Sequence, residues 1–204
     1  LPIDEAHGPY PVIVFVHGTA GFRAQSLEIT THWASRGFVV VAADHPGLFL
    51  KDILAPLCGG SAPPRDLAGD LAKLVGAVQA PSGDLAFLAG RVDATRIGMS
   101  GHSAGGGAIQ ARGDVARVLV PMAAGGTADG PQLESTLVLG ALEDTVVDYA
   151  QTKSGFEASP APRRLVGLSP AGHLTFSSLC AITNEAGQDV VAIGDEFMVC
   201  GLQF

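Results

Sequence analysis

The stretch RIGMSGHSAGGGAIQAR, residues 96–112, decides the fold. Its first four residues predict a buried strand and residues 104–112 predict a helix, and the sequence GHSAG between them matches the pattern G-x-S-x-G. A strand, a tight turn and a helix in this order form an elbow that exposes the serine at its tip. Glycines suit such a turn because larger side chains would clash there. The pattern therefore predicts Ser103 as a nucleophile, with the positive end of the helix dipole beside it.

Strand-like and helix-like segments alternate on both sides of this stretch. Apolar segments that predict strands lie at residues 12–16, 38–43, 115–120, 137–142 and 164–168. Helices are predicted at residues 26–36 and 67–78, and a loop rich in glycine and proline at residues 46–64. This alternation indicates an α/β fold in three layers, with a mostly parallel sheet of about six strands and helices on both faces. A single domain over residues 1–204 is expected.

Charge and composition exclude several classes of function. The formal net charge is -8, and the lysines and arginines are not clustered, so neither nucleic acid nor an anionic membrane surface is expected as a partner. No apolar run approaches the roughly 18 residues of a membrane-spanning helix. The sequence contains no Cys-x-x-Cys pair and no histidines at zinc-ligand spacing, so we expect no metal site.

A nucleophilic serine needs a general base, and His173 is the best placed of the six histidines. It follows the last predicted strand in the sequence AGHL, at residues 171–174. The carboxyl ends of parallel strands share one edge of the sheet, so His173 is expected near Ser103 despite their separation in sequence. His17 and His102 flank glycines in the strand-end motifs and His45 follows a strand, whereas His7 and His32 lie in no motif.

The histidine in turn needs a carboxylate to orient it, and Asp144 follows the strand at residues 137–142 on the same edge. Glu143 and Asp148 are the alternatives. Side chains alternate along extended backbone, so only one of Glu143 and Asp144 can face His173. Asp148 is expected at the beginning of the next helix, where a carboxylate stabilises the N-terminal end. The order Ser103, Asp144, His173 agrees with this type of fold.

Hydrolysis through a serine also needs donors for the oxyanion. The first strand ends in Val16-His17-Gly18-Thr19, and the backbone N–H of Thr19 could pair with that of Ala104. These two groups are the predicted oxyanion hole.

Five segments together resemble the α/β-hydrolase superfamily: HGTAG (17–21), SRGFVVVAADHPG (35–47), GHSAGG (101–106), LGALEDTVV (139–147) and AGHL (171–174). Within it, the sequence is most similar to dienelactone-hydrolase-like, platelet-activating-factor-acetylhydrolase-like and polyester-hydrolase-like esterases. The resemblance implies hydrolysis of small or polymeric carboxylic esters through an acyl-enzyme, without a cofactor. A serine peptidase or amidase with the same triad is the alternative, and a non-catalytic binding protein is a third reading.

The three cysteines are Cys58, Cys180 and Cys200. Cys180 and Cys200 bracket an irregular segment and are expected either as a disulfide or as buried free thiols. A disulfide would imply an exported protein, and a secreted or periplasmic location is expected, with a cytoplasmic one as the alternative. The sequence meets a buried strand soon after Leu1, as in a mature form or a fragment, and the strands that usually precede it in such hydrolases are absent from this sequence.

Overall fold

The computed structural model describes residues 3–4, 6–181, 183 and 185–187. The strands are β1 (Tyr10–Val16), β2 (Val39–Ala42), β3 (Val92–His102), β4 (Val118–Met122), β5 (Ser135–Ala141) and β6 (Arg163–Leu168). The α-helices are α1 (Leu27–Ser35), α2 (Leu50–Leu54), α3 (Leu67–Gln79), α4 (Ala104–Ile109) and α5 (Tyr149–Ala158). The strands form one sheet in the order β2-β1-β3-β4-β5-β6, and every neighbouring pair is parallel.

Helices cover both faces of the sheet because the central strands are apolar on both sides. On β1, Val12, Val14 and Val16 point to the face that α3 and α4 cover. Phe15 points to the opposite face and packs near Trp33 of α1. Each fully buried side chain of this size contributes about 1.5–3 kcal/mol of transfer free energy. The predicted parallel sheet of about six strands with helices on both faces is confirmed.

The order of strands creates a crevice at the carboxyl edge of the sheet. From β1 the chain passes to β2 on one side and later to β3 on the other side. Loops that leave two adjacent parallel strands in opposite directions open a crevice between them, which is where such sheets bind ligands. The loops after β1 and β3, at residues 17–26 and 103, therefore meet at this crevice.

The predicted boundaries of three elements at and after the elbow were wrong. β3 begins at Val92, four residues before the predicted start, because the register with β1 shifts after Asp93 and resumes at Ile97. This shifted part contains polar side chains, so a search for runs of apolar residues does not detect it as a strand. α4 ends at Ile109 and β4 starts at Val118, since a turn closed by the Arg112 carbonyl separates them.

The predicted loop at residues 46–64 contains the short helix α2. Five residues are too few to show a helical period, so sequence pattern could not find it. No helix in the described part of the chain is long and apolar enough to cross a membrane. The pairing of Cys180 with Cys200 lies outside the described residues.

Candidate active site

Ser103 occupies the strained tip of an elbow between β3 and α4. Its backbone has φ 53° and ψ -120°, a left-handed conformation that side chains rarely adopt, and its N–H donates to the Met122 carbonyl of β4 at 2.9 Å. A Cβ atom on Gly105 would lie 2.2 Å from the Val16 carbonyl oxygen, and one on Gly101 would lie 2.4 Å from the Gly105 carbonyl oxygen. Only glycine fits at these two positions, which confirms the predicted elbow geometry.

Asp144 and His173 are brought together at the same edge of the sheet. Asp144 follows β5, and His173 opens a short 3-10 helix, His173–Phe176, beyond β6. Oδ2 of Asp144 lies 2.8 Å from Nδ1 of His173, and the Asp144 side chain is 1% exposed. A buried carboxylate at this distance accepts a hydrogen bond from the N–H group at Nδ1. Nε2 of a neutral His173 ring then has no proton and can act as a proton acceptor.

The other Asp144 oxygen is held by the backbone. Oδ1 accepts the N–H groups of Val146 at 2.8 Å and Val147 at 2.9 Å. Burial alone would raise the pKa of the Asp144 carboxyl, but the hydrogen bonds from His173, Val147 and Val146 outweigh it and the pKa lies below its ordinary value. Asp144 is therefore an ionised, rigidly oriented partner for the His173 ring.

Neither rival carboxylate reaches His173. Glu143 is exposed, as the alternation of side chains predicts for the residue beside a buried Asp144. Asp148 is the N-cap of α5, where its carboxylate accepts the Ala150 N–H at 2.8 Å. The role expected for Asp148 at the beginning of the next helix is confirmed.

The loop after β1 lies directly against Ser103. A Cβ atom on Gly18 would be 3.2 Å from the Ser103 Cβ atom, so the backbone at this point passes close to Ser103. Thr19 follows in this loop and is exposed, and Ala104 is the first residue of α4. Backbone N–H groups in the first turn of a helix have no partner within the helix, which leaves that of Ala104 for another acceptor.

His17 fixes the orientation of the peptide that carries the Thr19 N–H. The His45 N–H donates to Nε2 of His17 at 3.1 Å, so the proton of the neutral ring is on Nδ1, which donates to the Gly18 carbonyl at 2.8 Å. Burial lowers the pKa of His17 and keeps the ring neutral. Because a peptide unit is planar and trans, fixing the Gly18 carbonyl also fixes the opposite direction of the Thr19 N–H.

The hydroxyl of Ser103 makes no hydrogen bond with another residue in the described part of the chain. The predicted contact between Ser103 and His173 thus stays a prediction, whereas the pair of Asp144 with His173 is formed. Such contacts are often long in unliganded hydrolytic sites and tighten with substrate.

Comparison with solved structures identifies the architecture. A structure of Est1E from Butyrivibrio proteoclasticus with ferulic acid bound superposes with a TM-score of 0.62 and covers 85% of each chain at 14% sequence identity. The chain has the α/β-hydrolase fold. At this identity the likeness establishes the fold alone.

A comparison with protein families gives one match within this hydrolase fold. The family described as platelet-activating factor acetylhydrolase, isoform II, matches residues 3–47, which contain β1, the loop with His17 to Thr19, α1 and β2. No curated protein matches the chain significantly.

Sequence reasoning missed one buried residue of the candidate site and left another without a role. Gln25 is 1% exposed and joins the loop after β1 to His102, the residue before Ser103. His102 was recognised only as part of the elbow motif. A glutamine in the glycine-containing loop after β1 is the one signal that sequence offered, and it does not reveal the partner 77 residues away.

Proposed function

We propose that this chain is a serine hydrolase that cleaves carboxylic esters through an acyl-enzyme intermediate. One observation carries the proposal: the partly buried hydrogen bond of 2.8 Å between Asp144 and His173, at the edge where the elbow presents Ser103. The matching family is described as an acetylhydrolase, and the solved structure holds ferulic acid, a carboxylic acid of the kind that ester hydrolysis releases; both support an ester as substrate.

In the proposed mechanism, Oγ of Ser103 attacks the ester carbonyl while Nε2 of His173 takes its proton. Asp144 holds the imidazole tautomer and stabilises the imidazolium. The N–H groups of Thr19 and Ala104 donate to the oxyanion, where one such donor contributes about 10²–10³-fold to kcat. His173 then protonates the leaving alcohol, and a water molecule repeats the sequence to release the acid and restore Ser103.

Covalent labelling tests the nucleophile. A fluorophosphonate probe should modify Ser103 alone, located by mass spectrometry of the digested protein. The Ser103→Ala variant, with an intact fold by circular dichroism, should take up no probe and lose ester hydrolysis. The exposed Ser35→Ala variant is the matched control and should label like the wild type. Labelling that survives Ser103→Ala would contradict the assignment.

A panel of p-nitrophenyl esters of increasing acyl length, run beside the matching p-nitroanilides, tests the reaction class. Esters should be turned over and anilides left intact or cleaved far more slowly. Faster hydrolysis of the anilides would favour the peptidase or amidase reading of the same residues, and no turnover of either series would contradict the proposed activity.

A further inference from the structure

A buried glutamine connects the two loops that meet at Ser103. Oε1 of Gln25 accepts the N–H of Gly18 at 3.2 Å, and Nε2 of Gln25 lies 2.8 Å from Nδ1 of His102. Gln25 therefore joins the loop with the proposed oxyanion donor Thr19 to the residue that precedes the nucleophile. A Cβ atom on Gly21 would lie 1.9 Å from Oε1 of Gln25, so a glycine at this position leaves the room that the amide occupies.

The second ring nitrogen of His102 reaches the general base. Nε2 of His102 lies 2.9 Å from the backbone carbonyl oxygen of His173, and the two rings are in contact with centroids 4.7 Å apart. The backbone of Gln25 is held on the same side, because its carbonyl accepts the Ser178 N–H at 2.7 Å, just after the His173–Phe176 turn. Gln25 and His102 together thus contact three loops, which contain the proposed oxyanion hole, the proposed nucleophile and the proposed general base.

The direction of every hydrogen bond in this connection is determined. The His173 carbonyl can only accept, so the proton of a neutral His102 ring is on Nε2 and its Nδ1 is an acceptor. Nε2 of Gln25 must then donate to Nδ1, which leaves Oε1 to accept from Gly18. Turning the amide over would set its NH₂ group against the Gly18 N–H and its oxygen against Nδ1, so only one arrangement satisfies all four groups.

Burial keeps His102 in the neutral state that this arrangement needs. The side chain is 2% exposed, and burial, with the nearby His173, lowers the pKa of His102 to about 4. At neutral pH the ring therefore has one proton, and the acceptors on both sides decide which nitrogen holds it.

We propose that Gln25 and His102 are positioning residues that hold the oxyanion loop, the nucleophile elbow and the general base in register. This rests on the proposed function, because register matters only if Ser103, His173 and Thr19 act together. Misplacement of a reacting group by about 1 Å can cost about 10²-fold in rate. The Gln25–His102 bridge acts on catalysis through backbone positions and does not touch the substrate.

The replacement Gln25→Met tests the bridge, because methionine has a similar length and makes neither hydrogen bond. We expect kcat for a p-nitrophenyl ester to fall about 10–100-fold with KM changed less than about threefold. Binding of a boronic acid, whose adduct with Ser103 is tetrahedral, should weaken by a similar factor, whereas binding of the carboxylate product should not change.

Thr136→Val is the matched control, since it removes a buried side-chain hydrogen bond with Thr127 outside the site. This control should lower Tm and leave kcat unchanged. A Gln25→Met enzyme that shows only the lowered Tm of the control, with kcat within twofold of the wild type, would make Gln25 a structural residue and overturn the proposal.

Coupling between the two residues gives a second measurement. If Gln25 and His102 act through their shared hydrogen bond, Gln25→Met in a His102→Phe background should reduce kcat much less than it does in the wild type. Equal effects in both backgrounds would show that the two residues act independently.

A third measurement needs no activity and no variant. The nitrogen NMR spectrum of the wild type should show His102 protonated at Nε2 and unprotonated at Nδ1 at pH 7, and the opposite tautomer would overturn the bridge. A wild type that hydrolyses no ester would contradict the proposed function, while the NMR spectrum would still test the hydrogen-bond arrangement.

Discussion

At the scale of single residues, the hydrogen bonds of Asp144 hold its carboxylate in one orientation. Its two oxygens accept three hydrogen bonds, from His173, Val146 and Val147, and its side chain is 1% exposed. The backbone donors would hold the carboxylate in place even without the ring. Asp144 is thus preorganised to orient His173, and its lowered pKa keeps it charged over the whole neutral range.

We expect Asp144→Asn to reduce kcat by roughly 10⁴-fold without unfolding the protein, because an amide at this position favours the wrong tautomer of His173. Glu143→Gln and Asp148→Asn are matched controls on the same loop, and each should change kcat less than about tenfold, under roughly 1.4 kcal/mol. Values of kcat/KM for the three variants decide the assignment. A near-wild-type Asp144→Asn enzyme would mean that another carboxylate orients the base.

Some residues of the candidate site can be predicted from sequence patterns and others cannot. Ser103 is readable because its neighbours have a strict local pattern, and Asp144 and His173 because each follows a strand whose end must reach one edge. Gln25 could not be predicted, since its partners Gly18 and His102 become neighbours only when β1 and β3 pair. A short motif in the sequence therefore reveals Ser103, whereas a hydrogen bond between two distant loops, such as that of Gln25 with His102, becomes visible only in the folded structure.

At the scale of elements, the elbow depends on how closely α4 approaches β1. A Cβ atom on Gly105 would lie 2.2 Å from the Val16 carbonyl oxygen and 2.5 Å from that of His17. Both obstacles are backbone atoms of the strand end, so they cannot move aside without displacing the loop before Thr19.

Gly105→Ala should therefore destabilise the protein by about 1–3 kcal/mol or more and lower kcat, as overpacking in a rigid core does. Gly107→Ala is the matched control in the same helix, because a Cβ atom there meets nothing within 4 Å. It should leave kcat unchanged and raise stability by up to about 1 kcal/mol through helix propensity. Urea unfolding with ester kinetics on both variants measures this, and equal behaviour of the two would refute the close-packing argument.

The sequence predicted that each strand exists, but it did not predict where several of the strands and helices begin and end. All six strands were found because each contains a short apolar run that a sequence pattern detects, including β6, whose residues are mostly exposed. The missed start of β3 and the early end of α4 lie where the register shift after Asp93 and the turn at Arg112 override local propensity. Neither the register shift between the paired strands nor the local hydrogen bonds that close the turn at Arg112 have a counterpart in a pattern of apolar residues.

At the scale of the whole molecule, the parallel sheet brings the residues of the candidate site together at one edge. The loops after β1, β3, β5 and β6 contribute Thr19, Ser103, Asp144 and His173 in turn, and all leave the sheet at its carboxyl edge. The same arrangement also buries histidines at this edge: His17, His45 and His102 are each at most 2% exposed, and burial lowers the pKa of all three.

These buried histidines make global stability depend on pH. In the unfolded chain a histidine takes up a proton near pH 6.5, whereas folded His102, with a pKa of about 4, does not. The unfolded state then binds more protons between these two values, so the free energy of unfolding falls as the pH decreases through this window. Below pH 4 the folded ring is protonated as well, and His102 contributes no further loss. Its titratable neighbours are His173 and Asp144.

We expect the free energy of unfolding to fall between pH 7 and pH 4, with His102 contributing up to about 1.4 kcal/mol per pH unit and roughly 3 kcal/mol in total. His102→Phe removes this titration and should flatten the dependence by about one proton, even if the variant is less stable at pH 7. His32→Gln is the matched control, because His32 is exposed on α1. Urea unfolding at intervals of half a pH unit measures the slopes, and an identical slope for wild type and His102→Phe would show that His102 does not couple folding to protons.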